Sequence, residues 1–283
     1  MKVLIAGSGD LGMRVAMLMA EAGHEVCCLR RNPSSQAQTA FQHNRIEWIA
    51  GDLTNIHSLS ALPAGITHVV FAAAPDQRTE SAYRSLYVGG LQNLVTTLDR
   101  GVLKRVLFVS STAVYGEHGD QWVDESTPTA PQGFNGRVML EAEQWLLGQS
   151  VQSIILRLSG IYGPGRDQLL DRIRQGLASV PRGVRHWTNR IHIEDAARAV
   201  VHFLDLPDPL PVYLVTDGHP YPMDTLYDAL ADKLGVPKPS EGTAPAMIGS
   251  KRLSNQRLLA TGFKLRWPDA LAGYDQLIHQ ASG

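Results

Sequence analysis

The stretch that decides the fold is Met1–Gly12, MKVLIAGSGDLG. A short apolar run, Val3 to Ala6, leads straight into Gly7-Ser8-Gly9-Asp10-Leu11-Gly12. Met13, Ala16, Met17 and Ala20 then recur at the spacing of one helix face. A G-x-G-x-x-G pattern between a strand and a helix has a specific physical use. Gly7 permits the tight turn, Gly9 lets the backbone approach a pyrophosphate, and Gly12 allows close helix–strand packing. The opening turn of the helix offers its free N–H groups to the phosphates. Gly7, Ser8, Gly9, Asp10, Leu11 and Gly12 are therefore expected to line a dinucleotide.

Outward from this stretch, apolar runs rich in β-branched residues alternate with helical patterns. HEVCCLRR, RIEWIAGDL, THVVFAAAP, RVLFVSS and VQSIILRL read as strands bounded by turn residues, and Ser81–Asp99 is one of the helical segments between them. Strands that are apolar on both faces belong to a parallel sheet covered on both sides, and right-handed crossovers make it doubly wound. The fold class read here is α/β: a Rossmann-type doubly wound parallel sheet with a smaller C-terminal substrate lobe. After Leu158 the rhythm changes to Pro, Gly and Arg, with helices expected at Asp195–Leu204, Met223–Leu234 and Leu253–Ala260 and one more strand at Val212–Thr216. The expected division is residues 1–165 for the nucleotide-binding part and 166–283 for the smaller lobe packed against it.

The end of the second strand bears on which dinucleotide. An acidic residue there would accept a hydrogen bond from a ribose 2′-hydroxyl. This chain has Leu29-Arg30-Arg31-Asn32 instead. Two guanidinium groups suit a 2′-phosphate through charge-assisted bonds, so NADP(H) is expected at Arg30 and Arg31, with NAD as the alternative. The competing reading is a solvated basic loop. Asp52 and Leu53 close the third strand, Asp52 able to accept from the adenine amino group. Ala72, Ala73 and Ala74 close the fourth with small residues that admit the cofactor.

Composition narrows the rest. The 283 residues are 44% hydrophobic and 19% charged, with a net charge of −1, which gives no general drive toward nucleic acid or an anionic membrane. No apolar run approaches the ~18 residues needed to span a bilayer. KVLIAG lacks a signal-peptide layout, and the expected location is the cytoplasm. Cys27 and Cys28 are adjacent, so they frame neither a disulfide scaffold nor a metal site, and they read as core. The expected partner is a small-molecule substrate, with a homodimer as the assembly considered and no metal.

Further motifs carry a resemblance. SSTAVYG (Ser110–Gly116), the ESTPTAPQ loop, LRLSGIYGPG (Leu156–Gly165), RIHIEDAARA (Arg190–Ala199) and SNQRLLATGFK (Ser254–Lys264) join the glycine loop, GDL and FAAAP. Together they resemble the extended short-chain dehydrogenases/reductases, the NAD-dependent epimerase/dehydratase family. The resemblance implies hydride transfer to or from nicotinamide, a Tyr acid/base, a Lys four residues later that lowers the Tyr pKa, and a Ser that orients the substrate. Ser111 matches that Ser. Laid on the family's P-Q-x-x-Tyr-G-x-x-Lys without a gap, PQGFNGRVMLEAEQ sets Asn135 at the Tyr and Met139 at the Lys, while Glu143 matches the later acidic position. A one-residue slide offers Phe134 and Val138. The chain thus reads as an atypical branch lacking the pair. Tyr87 stands where many members carry an Asn. The interval between GPG and RIHIED is short for a nucleotide-sugar enzyme.

Substitutes are Tyr115, at the carboxyl end of its strand where open α/β sheets bind ligands, and Arg137, a cation on the opening turn of the helix that Val138, Met139, Ala142, Trp145 and Leu146 predict by their spacing. Each has a structural alternative: a ring packed under the loop for Tyr115, a solvent-facing role for Arg137. Asn135 reads first as an N-cap, and second as an amide that hydrogen-bonds a substrate carbonyl. Arg182, Arg185, His186 and Arg190 form a basic segment that either meets an anionic substrate or is solvated. His192 reads as a buried structural His. Two functions follow. The first is an NADP(H)-dependent oxidoreductase or epimerase, on a small polar or anionic substrate with a non-standard acid/base (Ser111, Tyr115, Asn135, Arg137). The second is a non-catalytic NADP(H)-binding redox sensor. The persistence of Ser111 and its neighbouring motifs favours the enzyme.

Overall fold

The structure, a computed structural model, describes residues 1–33, 43–245 and 247–281. Among the described residues seven strands form the main sheet: β1 (Lys2–Ala6), β2 (Glu25–Arg30), β3 (Ile46–Ala50), β4 (His68–Phe71), β5 (Arg105–Ser111), β6 (Gln152–Leu158) and β7 (Val212–Val215). Their spatial order is β7-β6-β5-β4-β1-β2-β3. The pairs β1/β2, β1/β4, β2/β3 and β4/β5 are parallel. Order reverses beside β1, so the doubly wound expectation holds. The strands are apolar on both faces because both are covered: Val3, Leu4, Ile5, Val69, Val70, Phe71, Val106, Leu107 and Phe108 are all fully buried. Cys27 and Cys28 lie in this core, and burial pushes their thiols up to about 11 and about 12.

The helices that bear on the site are α1 (Asp10–Glu21), α2 (Glu80–Tyr83), α3 (Leu91–Thr97), α4 (Phe134–Leu147), α5 (Ile193–Asp205), α6 (Met223–Leu234), α7 (Gln256–Ala260) and α8 (Ala270–Ala281). Between α2 and α3 the chain continues as a π-helical stretch, Arg84–Gly90, where the sequence suggests one regular helix. Gly90 lies so close to Leu53 that an added Cβ would sit 3.1 Å from the Leu53 Cβ, and Asn93 Nδ2 donates to the Leu53 carbonyl at 2.9 Å. Two other expectations change. Val212–Val215 joins the main sheet as its edge strand: Ile155 N donates to Pro211 O and Ser159 N to Val215 O. The helix expected from Leu253 begins at Gln256, because Arg252–Leu253 pairs instead with Trp122–Val123.

The chain forms two compact units, and it enters each of them more than once. The first comprises Met1–Ser110, Arg137–Leu156 and Ala197–Val212. The second comprises Ser111–Gly136, Arg157–Ala196 and Tyr213–Gly283. The second has its own apolar core of Leu170, Ile173, Leu226, Leu230 and Ala270 around Tyr162 and Tyr274, whose rings stack at 4.4 Å. Among the described residues no helix is long and apolar enough to cross a membrane.

Candidate functional site

The nucleotide end is built by β1, its turn and α1. Gly7 has φ +101°, and a Cβ there would lie 2.3 Å from the Ala73 backbone. A Cβ at Gly12 would lie 2.1 Å from the Gly7 carbonyl oxygen. Around Gly9, in contrast, an added Cβ would meet nothing within 4 Å. The turn is therefore closed on its inner side and open at Gly9. Gly9 also precedes α1 with no side-chain cap, so the first N–H groups of the helix are not taken by a capping side chain. Ser8 is buried and its hydroxyl donates inward to the Leu29 carbonyl at 3.2 Å, which leaves its backbone for the ligand. Asp10 is exposed and paired with Arg14 at 3.0 Å. Leu11 packs in the core. A glycine cradle at an uncapped helix N-terminus fits a pyrophosphate.

Beyond the second strand, Arg31 forms a two-pronged pair with Asp76, both contacts at 2.7 Å, while Arg30 is half-buried with no ion-pair partner among the described residues. Asp52 accepts from the Thr54 N–H and hydroxyl at 2.9 and 2.8 Å, and its own N–H goes to Ser58. Leu53 is buried, Ala72 and Ala73 are half-buried, and Ala74 is exposed.

The residues expected to do chemistry lie at the end of β5 and the start of α4. Ser111 is half-exposed, and its Oγ accepts from the Ala113 N–H at 3.2 Å, capping the short 3₁₀ turn Thr112–Tyr115. This bond uses an acceptor lone pair and leaves the hydroxyl proton to donate. Tyr115 is fully buried, its hydroxyl accepts from Arg157 Nη1 at 2.7 Å, and the same guanidinium stands 4.8 Å from its ring centre. The geometry follows the packing alternative for Tyr115. Arg137 is exposed.

Asn135 departs from its N-cap expectation. The helix already begins at Phe134, which puts Asn135 inside the first turn, where its side chain is not placed to cap. Its Oδ1 is buried and has no hydrogen-bond partner among the described residues. Two glycines bring it there. A Cβ at Gly133 would lie 2.4 Å from the Asn135 Oδ1, and one at Gly136 would lie 2.5 Å from the Ala113 carbonyl. The first turn of α4 thus rests directly on the turn that Ser111 caps. Further along α4, the buried Glu143 accepts a short hydrogen bond from Ser110.

In the basic segment, Arg182 and Arg185 have carboxylates nearby, and the buried Nε of Arg190 has no hydrogen-bond partner among the described residues. Arg182 donates to both carboxylate oxygens of Asp228 at 3.0 and 2.9 Å, and Arg185 stands 3.9 Å from Asp120. His186 is buried, and burial holds its pKa below the ordinary value. His192 is buried as expected, its Nδ1 accepting from Glu194 N at 3.3 Å. Asp195, in the same signature, is fully buried and accepts from the Arg266 and Trp267 N–H groups.

One residue escaped the sequence reading. Lys251 is 1% exposed, and its ammonium donates to the carbonyls of Gly116, Ile248 and Gly249 at 3.0, 2.7 and 2.9 Å. Burial pushes its pKa down to about 8 against the opposing pull of Glu117. Nothing in KRLSN announces this, since its partners lie up to 135 positions away.

The sheet order and the glycine cradle define a dinucleotide-binding protein of the Rossmann type. Comparison with known proteins gives the same answer at finer grain. Residues 3–215 match the NAD-dependent epimerase/dehydratase family, and the chain belongs to it. It is similar to Protein YeeZ of Escherichia coli K12, 30% identical over 95% of this chain and 97% of that one. A solved structure assigned as an NAD-dependent epimerase/dehydratase from Methylobacillus flagellatus is 36% identical, with a TM-score of 0.82 over 100% of this chain and 99% of that one. The fold is also that of the Bordetella bronchiseptica enzyme WbmG in complex with NAD and UDP, at 20% identity and a TM-score of 0.82 over 100% and 95% of the two chains.

Proposed function

We propose that this protein is an NADP(H)-dependent oxidoreductase that interconverts a carbonyl and a secondary alcohol, with Ser111 and Asn135 as the groups that meet the substrate oxygen. The observation that carries this reading is the Asn135 amide. It stands at the position where the resemblance sets the family's Tyr, half-buried, with its Oδ1 buried and without a hydrogen-bond partner among the described residues. A buried amide oxygen costs stability unless something donates to it, and the hydroxyl of the alcohol form of the substrate is a fitting donor. When bound in the glycine cradle, the reduced nicotinamide supplies hydride. Reduction would place that hydride on the carbonyl carbon and one proton on its oxygen.

Ser111 donates its hydroxyl proton to the oxygen and regains one from water. Asn135 donates an N–H to the same oxygen, stabilising developing negative charge. Tyr115, held by Arg157, fixes the end of β5 rather than moving a proton. Arg30 is the group offered to a 2′-phosphate. Of the basic residues that would meet an anionic substrate, Arg182 is already paired with Asp228.

The test is an assay of NADPH consumption against ketones, 3-oxo acids and nucleotide sugars, run beside Ser111→Ala, with chromatographic separation of isomers. Turnover by wild type, reduced about 10²–10⁴-fold in the variant, supports the reading. Demonstrated NADPH binding with no turnover of any compound would replace it with the redox-sensor reading.

A further inference from the structure

Lys251 holds a segment of chain beside Asn135, and every part of that holding lies in the second unit. Its three ammonium protons go to three backbone carbonyls, one on the Gly116 turn and two on the segment itself. Glu117 doubles the attachment: one carboxylate oxygen accepts from Gly119 N and the other from Ser250 N, at 2.9 and 2.6 Å. Ser250 returns a bond, its carbonyl accepting from His118 N at 2.8 Å. The strands of chain cross so closely that only glycine fits. Gly249 has φ +53°, and its Cβ would lie 2.3 Å from the Gly116 carbonyl.

At the near end of this clamped segment, Met247 lies against Gly133, where an added Cβ would be 3.1 Å from the Met247 Cβ. Gly133 is the residue that backs the Asn135 amide. Met247 and Ile248 are 39% and 51% exposed, two successive large apolar side chains left uncovered, the first of them at the glycine that also backs the unpartnered Asn135 Oδ1. The charges of the clamp, Lys251 and Glu117, are turned inward onto backbone groups. A site for a nucleotide diphosphate would instead aim cations outward. A flexible thioether beside a branched aliphatic chain suits apolar surface of variable shape.

We infer that Met247–Lys251 is the specificity wall of the Asn135 site, clamped in place by Lys251, and that Met247 and Ile248 select a substrate whose body is an alkyl or alicyclic skeleton. This inference rests on the reading that Asn135 meets the substrate oxygen. Lys251 acts as a positioning residue, since it touches neither substrate nor cofactor.

The experiment is calorimetric titration of methyl n-alkyl ketones, from 2-butanone to 2-nonanone, into protein saturated with NADP⁺, which needs no turnover. Affinity is expected to rise about fourfold per added methylene until the chain outgrows the wall. Met247→Gln and Ile248→Thr should each reduce that increment to below about twofold while leaving the NADP⁺ affinity unchanged. Lys251→Met should flatten it as well. The Met247 variant keeps the test decisive where the lysine variant fails to fold. A wild-type affinity independent of chain length, an increment untouched by Met247→Gln, or no ketone binding at all overturns the inference. If the increments hold but NADPH is never consumed with any ketone, the wall stands and the proposed reaction falls. If no ketone binds but Ser111-dependent turnover of a polar carbonyl is found, the reverse is true.

Discussion

At the scale of the residue, the two arginines after the second strand are not equivalent. Arg31 is bound two-pronged to Asp76, and both partners are mostly exposed, so the pair itself contributes little to stability. It competes instead with a 2′-phosphate for the same guanidinium. Asp76→Asn is expected to tighten NADPH binding by about threefold at low salt, with the gain fading as ionic strength rises. Arg30→Ala should weaken NADPH by about tenfold and leave NADH unchanged, as fluorescence titration of both cofactors would reveal. Equal losses for the two would remove Arg30 from cofactor selection. Asn135 offers a second contrast. An N-cap would cost about 1 kcal/mol on replacement by Ala. Because its buried Oδ1 bonds nothing within the described fold, Asn135→Ala should not destabilise the protein and should raise its stability by up to about 1 kcal/mol. The same change should lower kcat/KM by about 10–100-fold once a substrate is in hand, in keeping with the loss of one hydrogen bond to the reacting oxygen.

At the scale of the element, a single buried side chain ties a helix end to the sheet. Arg105 opens β5, is 9% exposed, and donates to the Phe203, Leu204 and Leu206 carbonyls at 2.7, 2.7 and 3.0 Å, with Gln152 Oε1 taking its Nε. The first two are C-terminal carbonyls of α5, the groups a helix cannot satisfy for itself, and Leu206 follows directly after its end. Arg105→Met should cost about 3 kcal/mol in urea denaturation, and Arg105→Lys should recover only part of it, because one ammonium cannot reproduce the fork. What could be read from the sequence divides along this line. The strands were legible, since runs such as KVLIA and RVLFVSS are apolar throughout and bounded by turn residues. The glycine turn was legible because its backbone geometry admits few other residues. The helix at α4 was placed correctly, but not its cap: Gly133 and Gly136 allow close packing that shifts the start to Phe134. The Arg84–Gly90 stretch was not legible, because a change of hydrogen-bond register leaves the apolar spacing nearly intact. Lys251 was not legible either, since a buried ammonium is explained only by distant carbonyls that meet it.

At the scale of the whole molecule, three buried ionisable groups make stability depend on pH in opposed directions. His68, in the first unit, is pushed down to about 4 from an ordinary 6.5 by burial, with Arg105 adding to it. As pH falls from 6.5 to 4 the unfolded chain gains a proton there and the folded chain does not, so stability falls toward acid. Asp217, in the second unit, is pushed up to about 8 from 3.8, chiefly by burial, with Asp269 adding to it. Between 4 and 8 the unfolded chain has lost that proton and the folded chain keeps it, so stability falls as pH rises. Lys251 is flat below about 8, where both states are protonated, and contributes a rising stability from there to 10.5. Each one-proton difference has a slope of about 1.4 kcal/mol per pH unit. The His68 and Asp217 slopes therefore cancel between about 4 and 6.5, and Asp217 acts alone from 6.5 to 8. Asp217→Asn keeps the acceptor that the His219 N–H uses at 3.0 Å and removes the titration. In urea unfolding of wild type across pH 6.5 to 8, stability should drop as pH rises, by about 2 kcal/mol at pH 8. The variant should lose that drop and become the more stable protein at pH 8. It should also unmask the His68 slope below 6.5, so that its stability now falls toward acid. A variant curve parallel to that of wild type would mean that Asp217 is ionised in the folded protein across this range.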